Sequence, residues 1–90
     1  MPKYVIERDM PGVGNLSAKE LQAASQRSCG ALAKLGTDIQ WVQSHVTGDK
    51  IYCVYIAKNE ELIRQHANAS GIPATRISKV MAIIDPTTSE

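Results

Sequence analysis

The chain's apolar positions fall into blocks of two periods. Ile51-Tyr52-Cys53-Val54-Tyr55-Ile56-Ala57 is an unbroken apolar run of strand length. A strand with one wet face alternates apolar and polar residues, because neighbouring side chains point to opposite faces. This run does not alternate, so it predicts a strand covered on both sides. A first strand is predicted over Lys3 to Arg8, centred on Tyr4, Val5 and Ile6. A second covers Ile39 to Val46, and Thr47-Gly48-Asp49-Lys50 is the turn into the third. A fourth is predicted over Arg76 to Asp85, around the apolar run Val80 to Ile84. Between them the period changes. Leu21, Ala24, Ser25, Ser28, Leu32 and Leu35 recur at helical spacing. Ser17 with Glu20 three residues on makes a capping box, Leu16 and Leu21 occupy the staple positions, and Gly36 ends the helix. Ala24, Ser25 and Ser28 are small enough for close approach to a sheet, and the serines need hydrogen-bond partners there, such as carbonyls one turn back. A second helix starts at the Asn59 cap, carries Glu60 and Glu61 in its first turn, and stops at Gly71-Ile72-Pro73. Pro86 to Glu90 is a polar tail expected to fray.

The order strand, helix, strand, strand, helix, strand, with right-handed crossovers, gives an α+β ferredoxin-like βαββαβ sandwich. Its antiparallel four-stranded sheet has two helices on one face, and the first and third strands lie in the middle. The other face is too apolar for water. Its simplest cover is an identical sheet, which makes a two-fold dimer, the dimeric α+β barrel arrangement. A standard interface buries roughly 1,600 Å², within the capacity of one sheet face on each side. The competing expectation is a monomer with a partly exposed apolar face.

Composition narrows the class. Ninety residues make one domain, 1–90. Phe is absent and Trp41 is the only Trp, so Val, Ile, Leu, Ala and three tyrosines must build the core. A formal charge of +1, with Lys and Arg dispersed, offers no footprint for nucleic acid or an anionic membrane. No apolar run is long enough to span a bilayer, and the first residues lead straight into a strand, so a cytoplasmic protein without a signal peptide is expected. Cys29 and Cys53 are then expected as thiols.

Four residues invite a metal reading. Glu7 follows Tyr4-Val5-Ile6 inside a central strand, where a buried carboxylate needs a partner or a metal. The competing reading is a salt bridge to Arg8, Arg76 or Lys79, or a strand end that reaches water, and on sequence alone it is the favoured one. Trp41, Gln43 and His45 alternate along one face of the second strand, with Val42, Ser44 and Val46 on the other, the more core-like one. A two- or four-residue hairpin loop pairs His45 with Tyr52 and Ser44 with Cys53, whereas a three-residue loop shifts the register and can pair His45 with Cys53. Cys53 is a core hydrophobe or a soft ligand, and Cys29 on the first helix is read as packing. His66 follows Leu62 by one helical turn, as a hydrogen-bonded core imidazole or a side chain reaching a site. Gly12-Val13-Gly14 lacks the third glycine and the parallel βαβ unit of a dinucleotide loop. CxxC, HExxH and P-loop motifs are absent.

Lys3-Tyr4-Val5-Ile6-Glu7-Arg8-Asp9, the hairpin from Ile39-Gln40-Trp41-Val42 to Tyr52-Cys53-Val54-Tyr55, and Glu61 to His66 resemble a bacterial domain-of-unknown-function family of small ferredoxin-like dimers that includes a nickel-binding protein. The resemblance spans nearly the whole chain. It implies a homodimer and nickel as the metal to test first, with Cys53 and His66 the best-matched positions, Glu7 next, and His45 a residue of this chain's own.

Three functional expectations follow. In the first, Glu7, His45, Cys53 and His66 hold nickel or another divalent transition metal, and the protein is a buffer or metal-responsive protein rather than a catalyst. In the second, a cofactor-free enzyme of oxygenase or isomerase type uses a pocket lined by Trp41, His45, Tyr55 and His66, on fold analogy alone. A self-association module with neither metal nor ligand is the third.

Overall fold

The computed structural model describes residues 1–90. Strands β1 (Lys3–Asp9), β2 (Ile39–Val46), β3 (Lys50–Ala57) and β4 (Arg76–Lys79) form one antiparallel sheet in the order β2-β3-β1-β4. Helices α1 (Ala18–Leu35) and α2 (Glu60–Ser70) pack on one face, completing the ferredoxin-like βαββαβ order.

The local signals act as the sequence predicts. Ser17 Oγ accepts from the Glu20 amide, and Glu20 Oε1 accepts from the Ser17 amide. Asn59 Oδ1 accepts from the Leu62 amide, and Gly71, at φ 71°, ends α2 in the left-handed conformation that favours glycine. All six residues predicted for the inner face of α1 are buried or half-buried. Gly14 matters for a different reason. Its amide donates to the Gly48 carbonyl at 2.9 Å, and a Cβ there would lie 2.7 Å from the Thr47 carbonyl oxygen. Only glycine lets the turn after β1 close on the β2–β3 hairpin.

The core lies between sheet and helices. Tyr4 and Ile6 from β1, Ile39 from β2, Cys53, Tyr55 and Ala57 from β3, and Ile63 from α2 form its buried cluster. Tyr52, Val54 and Ile56, between the buried positions of β3, point to the open face and are half-buried. Val5 of β1 joins them and is exposed. The helices therefore cover one side of the apolar β3 run, and this chain covers the other only in part.

Two expectations are corrected. The second strand does not alternate cleanly, because a β-bulge lies between Trp41 and Gln43. Trp41 pairs with Tyr55 and faces the helices, whereas Gln43 and His45 face the open side. The fourth strand ends at Lys79 rather than Asp85. It pairs only with β1, whose first strand residue is Lys3, and the last backbone bond along that edge runs from the Val80 amide to the Lys3 carbonyl. Beyond it the apolar run has no strand to pair with, and Met81, Ile83 and Ile84 are 86%, 69% and 78% exposed. Residues 86–89 form a short 3-10 turn capped by Asp85.

Candidate functional site

The hairpin register pairs His45 with Tyr52 and Ser44 with Cys53, and β1 pairs Glu7 with Tyr52. Glu7 and His45 thus flank Tyr52 on the open face. They sit two strands apart, about 10 Å at the usual strand spacing. Lys50 Nζ lies 3.0 Å from Glu7 Oε1 and 3.5 Å from Asp9 Oδ1. The Lys50 hydrogen bond is the main cause holding the Glu7 carboxyl below its usual range, and the same contact raises the Lys50 ammonium. The partner of Glu7 is therefore Lys50, not Arg8, Arg76 or Lys79. His45 is exposed, and Gln43 Nε2 at 3.3 Å from its Nε2 is its one side-chain partner.

Cys53 and His66 lie on the other side of the sheet. His66 is fully buried, its Nε2 3.1 Å from Ser28 Oγ and its ring centroid 5.2 Å from that of Tyr55. Burial, reinforced by the Arg8 charge, depresses the His66 pKa and favours the neutral ring. This contact supplies the partner that Ser28 needs. Burial raises the Tyr55 pKa, so the phenol keeps its proton. Cys53 Sγ accepts from Ser44 Oγ at 3.0 Å and from Arg8 Nε at 3.3 Å, and Ser44 Oγ accepts from Trp41 Nε1 at 2.8 Å. Cys29, read as packing, is exposed.

The sheet therefore separates the four candidate metal ligands into two pairs. No three His, Cys, Asp or Glu side chains come together where they could hold a metal ion. Within one protomer, Glu7, His45, Cys53 and His66 do not fit a single nickel centre. The pocket set divides as well. Trp41 and Tyr55 line a cavity between α1 and the sheet, while His45 is on the opposite face.

The residue that the sequence reading passed over is Arg8. It is 1% exposed, on the helix face of β1 beside Tyr4 and Ile6. Its Nη1 donates to the Pro73 carbonyl at 3.0 Å and to the Ile72 carbonyl at 3.4 Å. The signal was present: Tyr4, Ile6 and Arg8 share one face by the two-residue strand period.

A model of the family described as "Nickel responsive protein SCO4226-like" matches residues 4–80. The chain belongs to that family. Among solved structures, the crystal structure of SCO4226 from Streptomyces coelicolor A3(2) aligns over 91% of this chain and 99% of that one, with a TM-score of 0.76 and 16% sequence identity. At that identity the likeness speaks for the fold alone. No curated protein matches the chain. The family region ends at residue 80, where β4 gives way to the exposed apolar arm.

Proposed function

We propose that this protein is a small nickel-binding buffer or nickel-responsive protein that works as a homodimer, its metal centre completed where two open sheet faces meet. Membership of a nickel responsive family is the observation that carries this reading. The placement of the donors supports the dimeric form. One protomer gathers no three-donor cluster, yet His45 and Glu7 both lie on the face that the helices leave uncovered. A two-fold axis through that face doubles each donor, giving two imidazoles and two carboxylates. Imidazole nitrogen and carboxylate oxygen both suit divalent nickel. Half-buried Tyr52, Val54 and Ile56, with Val5, supply the apolar surface such a contact needs. The reading places the protein in the cytoplasm, where Cys29 and Cys53 stay reduced.

Calorimetry with nickel chloride on untagged protein, combined with light scattering, tests both halves. Uptake in proportion to dimer, weakened in His45→Ala and retained in His66→Gln, is expected. No heat and no retained metal by elemental analysis refutes the nickel reading. Uptake by a species of protomer mass refutes the shared centre.

A further inference from the structure

We propose that the cavity between α1 and the β1–β3–β2 part of the sheet binds a small organic monoanion, a carboxylate with a short apolar body, through the buried guanidinium of Arg8. The inference does not depend on nickel or on a dimer.

The charge of Arg8 has no countercharge. The ion pairs of the fold join Lys50 to Glu7 and Asp9, and Arg64 to Glu60; Arg8 is in none of them. A buried charge without an opposite partner is strongly unfavourable, so an uncompensated guanidinium in a small core demands a reason. Its donors are also incompletely used. Nε is directed at Cys53 Sγ and Nη1 at the Ile72 and Pro73 carbonyls, while Nη2 is buried and has no acceptor. A guanidinium carries five N–H groups and accepts nothing, so what completes this one must be an acceptor.

Arg8 lines a cavity of about 80 Å³. A single water needs roughly 10–15 Å³, so the space suits a ligand of several heavy atoms. Most of the lining is apolar, with Leu21, Ala24, Trp41 and Ile51 forming walls, and Ser25 and Ser28 adding hydroxyls. This lining favours a ligand with an apolar body. The charge count favours a monoanion. Tyr55 and His66, beside Arg8, are held neutral by burial, so Arg8 supplies one positive charge and no second cation is there to hold a multiply charged phosphate. Nη2 is closed off from solvent, so the proposed binding includes a shift of the guanidinium toward the cavity.

Trp41, the only Trp, lines the cavity and reports on it. The experiment titrates chelator-treated, desalted protein with acetate, butyrate and hexanoate at constant ionic strength, following Trp41 emission. Butyramide is the neutral isostere, and chloride and phosphate are the inorganic arms. A saturable response to at least one carboxylate, at least tenfold tighter than to butyramide and lost in Arg8→Met, is expected. An equal response to butyramide, a response to chloride or phosphate with none to carboxylates, or no saturation by any carboxylate overturns the proposal. So does retention in folded Arg8→Met. Should Arg8→Met not fold, Ser25→Leu decides: it fills the cavity from α1 without touching the Arg8 hydrogen bonds, and carboxylate binding that survives it overturns the site.

Discussion

The helix face of the sheet and its open face are built from alternate residues of the same strands, yet they treat polar groups in opposite ways. On the helix face Trp41, Ser44, Cys53 and Arg8 form one hydrogen-bonded chain, and Ser28 and His66 pair beside it. There, side chains that could ligate a metal are occupied by internal hydrogen bonds, Cys53 tying β3 to β2 and β1, and His66 tying α2 to α1. On the open face Glu7 and His45 stand among half-buried apolar residues, with Lys50 and Gln43 as partially exposed or exposed neighbours. Donors held inside a packed core are poor candidates for exchange with solvent metal, whereas donors on an uncovered face can be completed by a second molecule. The difference moves the metal question from Cys53 and His66, the positions that the resemblance favours, to the face with fewer internal bonds.

The largest expected effect separates the two faces by stability. Ile6 is fully buried on the helix face, and Val54 is half-buried on the open one. Ile6→Ala should cost about 2–5 kcal/mol in urea unfolding, as truncations in packed cores do. Val54→Ala should cost a lone protomer about 1 kcal/mol or less, because much of its surface is already wet. A Val54→Ala loss as large as that of Ile6→Ala in dilute protein would mean that the open face is already covered within one chain.

A second, smaller effect sharpens the helix face by pH. The His66 pKa lies below its ordinary value of 6.5 in the folded chain, chiefly through burial. Between the folded and unfolded values the unfolded chain binds more protons. The stability that depends on a neutral His66 is therefore present above about 6.5 and is lost as pH falls through the folded value. His66→Gln should lower stability by about 1–2 kcal/mol at pH 8, through lost packing on Tyr55 and a weakened bond to Ser28. It should also flatten the acid-side fall of the unfolding curve as pH drops below about 6.5. An unchanged slope would show that His66 does not titrate with folding.

Much of the fold was legible because its signals are local. The Ser17 capping box, the Asn59 cap, the terminal glycines and the helical spacing of Leu21 to Leu35 act within a few residues. The sites were less legible because they depend on register. One extra residue between Trp41 and Gln43 moves Trp41 to the opposite face from His45, and no composition signal marks the bulge. Arg8 was hidden differently. Charge suggests a wet side chain, and only the strand period that also governs Tyr4 and Ile6 turns it inward. The fourth strand was overextended because Val80 to Ile84 has strand propensity but lacks a neighbouring strand, and propensity says nothing of partners.

That unpaired arm gives the smallest effect on the fold and a clear test of the open face. Met81, Ile83 and Ile84 are mostly exposed, so the double change Ile83→Asp with Ile84→Asp should alter protomer stability by no more than about 0.5 kcal/mol, the ordinary range for exposed positions. If the unmodified chain forms the proposed dimer and the arm extends its apolar contact, the same change should shift light-scattering mass toward the protomer at a concentration where that dimer forms. The comparison partner is Val54→Lys, which places a charge in the middle of the open face. Dissociation by both variants assigns arm and sheet to one continuous interface. Dissociation by Val54→Lys alone confines the contact to the sheet. An unchanged dimer mass in both would remove the open face as the meeting surface, and the shared His45 and Glu7 centre with it.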